Sequence, residues 1–544
     1  MHSAGSAIWL PIQGRRQRSG RCRIGLCDDL IVGGFDVVVV GAGSSGATLA
    51  GRLSEMESRS VLVLEAGPEY RSVDTPPFIR RRLPVSVVRA DSPYQWGAAR
   101  VRLTAGQSEQ PYPQGRGVGG TSAINALAAI RGTPLDYDGW AAGGCENWSW
   151  RGVVPAFCAL EDDPQFGDRD YHGASGPIPI FRPLMDLWGS APLALRESAE
   201  GLGFGWADDH NDPTSNGASP VAFNVRDNQR VSTNDAYLEP ARGRSNLHLR
   251  GGAEVRSVVF DRERAAGVEL CDGEVIEAAE VVLCAGAIQT PAILMRSGIG
   301  PAERLRMLDI DVVVDLPAVG ENLRDHPLGG LVLQLGPGAA GPGVYPLACY
   351  LRCETGSDDG PNNTVITAWD LPGSPDRPRL ASMWVKAATS HSRGRVSLRS
   401  PDPGVYPSVE FEMLSDGRDL ARLREGTRLL GELLAHPAFG GLVERAYRVS
   451  GPGQSSGKME PFDPRVSDDD LDAWLRSACG TIWHPAGTCA MGPSGSVHAV
   501  VDPDCRVMGV DGLRIVDASI MPALPRANPN LTCIMLAEVA ATRW

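Results

Sequence analysis

His484 is the histidine of this chain whose surroundings best suit acid-base work. It stands between Trp483 and Pro485-Ala486-Gly487. That composition makes a rigid turn against an aromatic wall, where desolvation favours the neutral, base-competent imidazole. Other histidines have plainer settings. His2 falls in a basic leader, His172 in a loop motif, and His210, His248, His391 and His436 in loop-like or surface-like stretches. Asn528 follows 44 residues after His484 in an Asn-Pro-Asn loop. Its amide either donates to an oxygen that is gaining negative charge or only orders the turn.

A second group of residues points to a phosphate ligand. Gly41-x-Gly43-x-x-Gly46 needs glycine for a tight turn, for backbone approach to a pyrophosphate and for close helix-strand packing. The helix N-terminus then faces the phosphates. Alone the motif is weak. Here it follows a β-branched run and opens a stretch with helical spacing, and Glu65 comes 19 residues after Gly46 as the acidic partner for a ribose diol. The glycines therefore predict a dinucleotide site and leave open which dinucleotide.

These residues need a scaffold. Phe35 to Val40 reads as a buried strand, Ser45 to Leu53 as a helix and Ser60 to Glu65 as a second strand. Together they make one β-α-β unit of about 30 residues. Glu280 to Cys284 and Gly512 to Val516 are expected to return to the same sheet, and Arg418 to Leu434 is expected to be helical. Residues 161–230 are rich in Asp, Gly and Pro, whereas 330–480 mix alternating strands with helices. The predicted fold is α/β (α+β overall), with two lobes interleaved in sequence. Residues 34–160, 235–325 and 480–544 form the Rossmann-type dinucleotide domain. Residues 161–234 and 326–479 form a substrate-facing domain with an antiparallel sheet and helices. Residues 1–33 form a leader outside the fold.

Composition narrows the function. With 42% hydrophobic and 22% charged residues, the 544-residue chain is an ordinary globular protein. Its length exceeds the roughly 250–300 residues a single core supports, so a cleft between lobes is expected. A formal charge of −13 repels phosphate backbones and argues against nucleic acid. No apolar run is long enough to span a membrane, and the leader has arginines but no apolar core, so a cytoplasmic location is expected. The 12 cysteines show no C-x-x-C spacing, which predicts reduced thiols and no metal. Asp502 and Asp504 read as a solvated turn.

Three further blocks carry a resemblance over nearly the whole chain. They are Gly115 to Gly132 (GRGVGGTSAINALAAIRG), Gly286 to Gly300 (GAIQTPAILMRSGIG), and Trp483 to Thr488 continuing through Val516-Asp517-Ala518-Ser519 to Asn528-Pro529-Asn530-Leu531. The chain resembles the glucose-methanol-choline (GMC) oxidoreductases, most of all the hydroxymethylfurfural oxidase and aryl-alcohol oxidase branches. Asp168 to Ile180 and Gly394 to Pro407 add to that likeness.

The resemblance implies FAD as the dinucleotide and His484 with Asn528 as the catalytic pair. It implies a cofactor site built from Gly41, Gly43, Ser45, Gly46, Glu65, Ala66, Trp96, Arg116, Gly119, Gly120, Thr121, Asn125, Ala126, Val255, Ala285, Trp483, Asp517, Ala518, Asn528, Pro529 and Asn530. Trp384 and Trp483 are the implied pocket walls. Some members bind FAD covalently through a histidine before the signature asparagine; this chain has Ile124 there, so a non-covalent flavin is expected. Many members carry a second histidine where this chain has Asn528, so a relay between two histidines is not expected. His326, in Asn322-Leu323-Arg324-Asp325-His326, is expected to be structural. The implied reaction is oxidation of a small primary alcohol, aromatic or furanic, with dioxygen as acceptor. A dehydrogenase that uses a quinone or another acceptor is the alternative, and a flavin-containing lyase or decarboxylase a more distant one.

Overall fold

The computed structural model describes residues 34–82, 92–337, 339, 343–356, 359–371, 379–450 and 458–544. The leader expected over 1–33 lies outside the described residues. Phe35–Trp544 form one compact unit built on two large sheets.

Strand β1 (Phe35–Val40) ends in four buried valines. A strand apolar on both faces belongs inside a parallel sheet covered on both sides. Accordingly β1 pairs in parallel with β2 (Val61–Leu64) and with β7 (Val275–Leu283). Strand β4 (Leu247–Arg250) extends the sheet beyond β2, and β15 (Leu513–Ile515) pairs with β7 from Val281 to Leu283. The first half of β7 pairs antiparallel with β6 (Arg264–Leu270), which pairs with β5 (Val255–Asp261). Two strands expected to return to this sheet, at 280–284 and 512–516, are β7 and β15. Helix α1 (Ser44–Leu53) crosses from β1 to β2 and packs along α7 (Pro529–Thr542), a helix buried from Leu531 to Ala540.

The second sheet is antiparallel throughout. Its order is β13 (Lys458–Pro461), β12 (Val443–Ser450), β8 (Pro327–Leu335), β11 (Leu380–Ala387), β10 (Thr364–Asp370), β9 (Leu347–Cys353) and β3 (Gly217–Pro220). A short strand, β14 (Gly480–Thr481), pairs with the start of β8. One face is covered by α5 (Gly417–Ala435), whose Leu420, Leu423, Thr427 and Leu430 repeat at helical spacing and are buried. Burying each leucine there contributes roughly 1.5–3 kcal/mol. Asp416 caps α5 by accepting from the Arg418 N–H. Gly426 of α5 sits so close to Val385 that a Cβ would lie 2.3 Å from its methyl carbon. Val385 therefore faces α5. Strand alternation sends Ser382, Trp384 and Lys386 to the opposite face, where His484 also lies.

Candidate active site

The dinucleotide cradle starts where β1 meets α1. A Cβ on Gly46 would fall 1.9 Å from the Gly41 carbonyl oxygen, so helix and turn touch backbone to backbone. Gly43 is the N-cap of α1, and the first turn has neither a side-chain cap nor a carboxylate. Its free N–H groups and the helix dipole suit a phosphate. A second glycine loop closes on the first. Gly120 has φ +50°, and a Cβ there would lie 2.7 Å from Gly43 Cα. Gly119 N–H donates to the Ala42 carbonyl at 2.8 Å. The Glu65 carboxylate accepts from the N–H of Ala42 (2.8 Å), Gly67 (2.9 Å) and Gly117 (2.8 Å). It ties both loops to the end of β2 and, with about four acceptor sites per carboxylate, retains capacity for a diol.

Other expected cofactor residues fall into two groups. Ala66, Ala126, Ala285 and Pro529 are half-buried around these loops, and Thr121 is exposed beside them. The Arg116 guanidinium lies 5.2 Å from the Trp96 ring centroid. Several others face inward as supports. The Ser45 hydroxyl donates to the Cys533 carbonyl (2.9 Å), and Val255 is buried at the start of β5. The Asn125 carbonyl oxygen accepts from Leu127 N–H (3.0 Å) and Arg230 (2.9 Å). Asp517 accepts from Gly286 N–H (2.8 Å), the Thr290 hydroxyl (2.6 Å) and Ser519 N–H (2.7 Å). Burial pushes its carboxyl up. Ala518 is buried beside it. Asn530 accepts from the Ser44 hydroxyl (2.8 Å), which joins the N-terminal turns of α1 and α7.

His484 sits below β8, reached from β14 by a turn in which Trp483 has φ +60° and is 47% exposed. The turn hangs on Asp325. That carboxylate accepts from the N–H of His484 (3.0 Å) and of His326 (2.7 Å), from the Tyr112 hydroxyl (2.7 Å) and from the Thr481 hydroxyl. Burial pushes Asp325 up to about 6, opposed by those four donors.

His326 directs the ring of His484. Its Nε2 lies 3.1 Å from the carbonyl oxygens of both Ala388 and Pro525, which can only accept. The proton of neutral His326 is therefore on Nε2, and its Nδ1 is the acceptor. That Nδ1 lies 3.0 Å from Nδ1 of His484. His484 must donate there, which leaves the lone pair on its Nε2. Burial, then His326 and Lys386, hold the His484 imidazole well below its usual range. It is a neutral imidazole with a defined tautomer. His326, expected to be structural, is buried against His484 and fixes its tautomer; position 528, where many members carry a second histidine, holds Asn528. Asp325, His326 and His484 also converge as a possible metal-ligand set, but both Nδ1 atoms are spent on each other.

Asn528 is the N-cap of α7, with Pro529 at the first helical position. Its Oδ1 is buried without a hydrogen-bond partner among the described residues. The Tyr350 phenol stands beside it; burial pushes that phenol up to about 12, opposed by the Asn528 amide. Trp384 spreads over Gly330, where a Cβ would fall 2.1 Å from the indole. Its Nε1–H donates to the Ser382 hydroxyl at 2.8 Å. Register aligns Trp384 with Thr367, and Thr367 with Tyr350, across the face of the second sheet. Sequence reasoning missed Tyr350, Tyr112 and Asp325; only Asp325, next to His326 in Asn322-Leu323-Arg324-Asp325-His326, carried any signal.

Two family models, both described as GMC oxidoreductase, match residues 35–328 and 390–537. The 5-(hydroxymethyl)furfural oxidase of Methylovorus sp. (strain MP688) is 36% identical over 93% of this chain and 98% of its own. The oxygen-dependent choline dehydrogenase of Ectopseudomonas mendocina (strain ymp) is 35% identical over 94% of each chain. Among solved structures, pyridoxine 4-oxidase from Mesorbium loti superposes with a TM-score of 0.84 at 30% identity, covering 94% of this chain and 99% of that one.

Proposed function

Because this chain belongs to the GMC oxidoreductase family, we propose that it oxidises a small primary alcohol, aromatic or furanic, to the aldehyde, with His484 as base and dioxygen as electron acceptor. GMC oxidoreductases bind FAD, and the residues present fit that group: an uncapped α1 N-terminus, two abutting glycine loops and Glu65. Gly41, Gly43, Gly46, Glu65, Gly119, Gly120 and Thr121 would hold it. When bound, FAD supplies the hydride acceptor. Ile124 is buried at the position where some members carry a flavin-linked histidine, which supports non-covalent binding.

The observation that carries this reading is the fixed tautomer of His484. Alcohol oxidation removes a hydroxyl proton and a carbon-bound hydride, so a base is needed beside the acceptor. Nε2 of His484 takes the proton while its Nδ1–H stays on His326. The Asn528 amide orients the substrate oxygen as alkoxide character develops. Trp384 and Trp483 form apolar walls suited to a flat ring. The similarity to a hydroxymethylfurfural oxidase and to pyridoxine 4-oxidase supports an aromatic or furanic alcohol. The similarity to a choline dehydrogenase raises a quaternary ammonium substrate; buried Lys386 and Arg352 on the same sheet face oppose one.

The test is anaerobic mixing of the yellow protein with benzylic and furanic alcohols. Loss of flavin colour is expected, and one peroxide per alcohol on admitting air. Flavin that bleaches without yielding peroxide would shift the assignment to a dehydrogenase. Flavin that no alcohol bleaches would end the proposal.

A further inference from the structure

Lys386 transfers no proton and meets no substrate atom in the chemistry above, yet it is buried on the site's side of the second sheet, at 6% exposure. Register pairs it with Val365, and Val365 with Arg352, so the three side chains share one face. Among the described residues no carboxylate or carbonyl takes a hydrogen bond from its Nζ. Arg352 is held by the neutral carbonyls of His210 (2.8 Å) and Arg131 (3.2 Å). Neighbouring acids are already engaged. Asp136 accepts from Arg526 (2.6 Å) and from Thr133 N–H (2.7 Å), and Asp325 holds the histidine turn. The face thus carries two cations and no anion of its own free to offset them.

We infer that Lys386 receives a carboxylate on the substrate, so that hydroxymethyl compounds bearing an acid group remote from the alcohol are the preferred class. This rests on the alcohol-oxidation reading above. Burial and then Arg352 push Lys386 down to about 7, while Asp136 and Asp325 pull it back up. His326, His484 and His210 are the other titratable groups that feel its charge. Free Lys386 is therefore part neutral near pH 7, and a bound carboxylate stabilises the ammonium. Carboxylate binding then draws a proton onto Lys386.

The experiment compares 4-(hydroxymethyl)benzoate with 4-(hydroxymethyl)benzamide, and titrates the unreactive 4-methylbenzoate by calorimetry in two buffers of different ionisation enthalpy. The benzoate should be favoured in kcat/KM by about tenfold or more, as for a close charge pair in a desolvated site. Lys386→Met should abolish that preference through KM, leave the benzamide within about threefold, and abolish proton uptake with 4-methylbenzoate; Lys386→Arg should keep the preference. Flavin content of each variant reports its folding. Equal turnover of the two alcohols, or equal losses on both in Lys386→Met, overturns the inference while leaving alcohol oxidation intact. If neither alcohol reduces the flavin, the oxidation reading falls, and calorimetry still decides: no proton-linked binding of 4-methylbenzoate overturns the Lys386 site as well.

Discussion

Replacing His326 by leucine removes the acceptor that fixes the tautomer of His484. The Nδ1–H of His484 then stays buried without a partner, or the proton moves to Nε2 and blocks the base. An orphaned buried donor costs about 1–3 kcal/mol. At about 1.4 kcal/mol per factor of ten, kcat/KM for the alcohol should fall roughly 5- to 150-fold. His326→Asn is the matched control, because its carbonyl oxygen can stand where Nδ1 stood and keep the bond; it should stay within about tenfold of the native rate. The assay is anaerobic stopped-flow reduction of flavin, with each variant normalised to bound FAD. The pH profile gives an independent readout. The base works only when neutral, so kcat/KM rises with pH through the pKa of His484. In the native protein that rise lies below the usual 6.5, with His326 among the groups holding it down. In His326→Leu it should stay below that range, because burial, the largest cause, is unchanged, so a lost rate on the high-pH plateau reports the tautomer and not a titration. A leucine variant as fast as the native enzyme, or an asparagine variant as slow as the leucine one, would refute the tautomer argument.

Native kcat/KM should be level from roughly pH 6.5 upward until another group titrates, because His484 is already neutral there; a rise centred above 6.5 in steady-state rates contradicts the burial of His484. Asn528→Ala should lower kcat about 100-fold with little change in KM, as expected for a donor used mainly in the transition state. Gly46→Ala, with its Cβ 1.9 Å from the Gly41 oxygen, should yield protein without the visible absorbance of flavin. Arg182 binds Asp163 (2.8 Å) and Asp209 (2.7 Å) with all three side chains nearly inaccessible; Arg182→Leu strands those charges and should cost about 3–5 kcal/mol in denaturant unfolding.

Much of the frame was legible because it rests on local pattern. Valines at 37–40 can only be a strand buried on both faces, and the glycines after them can only be a tight turn, so β1, α1 and β2 fall within a residue of their expected bounds. Trp384 lies on the face of β11 away from α5, because strand alternation places it opposite Val385, and that much a strand pattern in the sequence could give. What stayed hidden depends on distant pairing. His326 and His484 are 158 residues apart, and their contact follows from Pro327 pairing with Thr481, which no local rhythm announces. Lys386 reads in sequence as one more cation in a variable region, and only the register of β11 against β10 and β9 gives it neighbours. Ser45 and Asp517 sit beside the right loops, but their side chains serve the protein's own backbone and hydroxyl groups.

The junction between α1 and α7 bears on how the enzyme is made. Ser44 meets Asn530, and Ser45 meets Cys533, across 486 and 488 residues of chain. The first βα turn emerges early from the ribosome, but the helix that braces it, together with His484 and Asn528, emerges hundreds of residues later. Closing so long a loop is an entropic cost that early contacts cannot meet. The nascent cradle therefore lacks its brace through most of synthesis. With the roles proposed for His484 and Asn528, firm retention of flavin and the capacity to react are expected together, once that helix has docked.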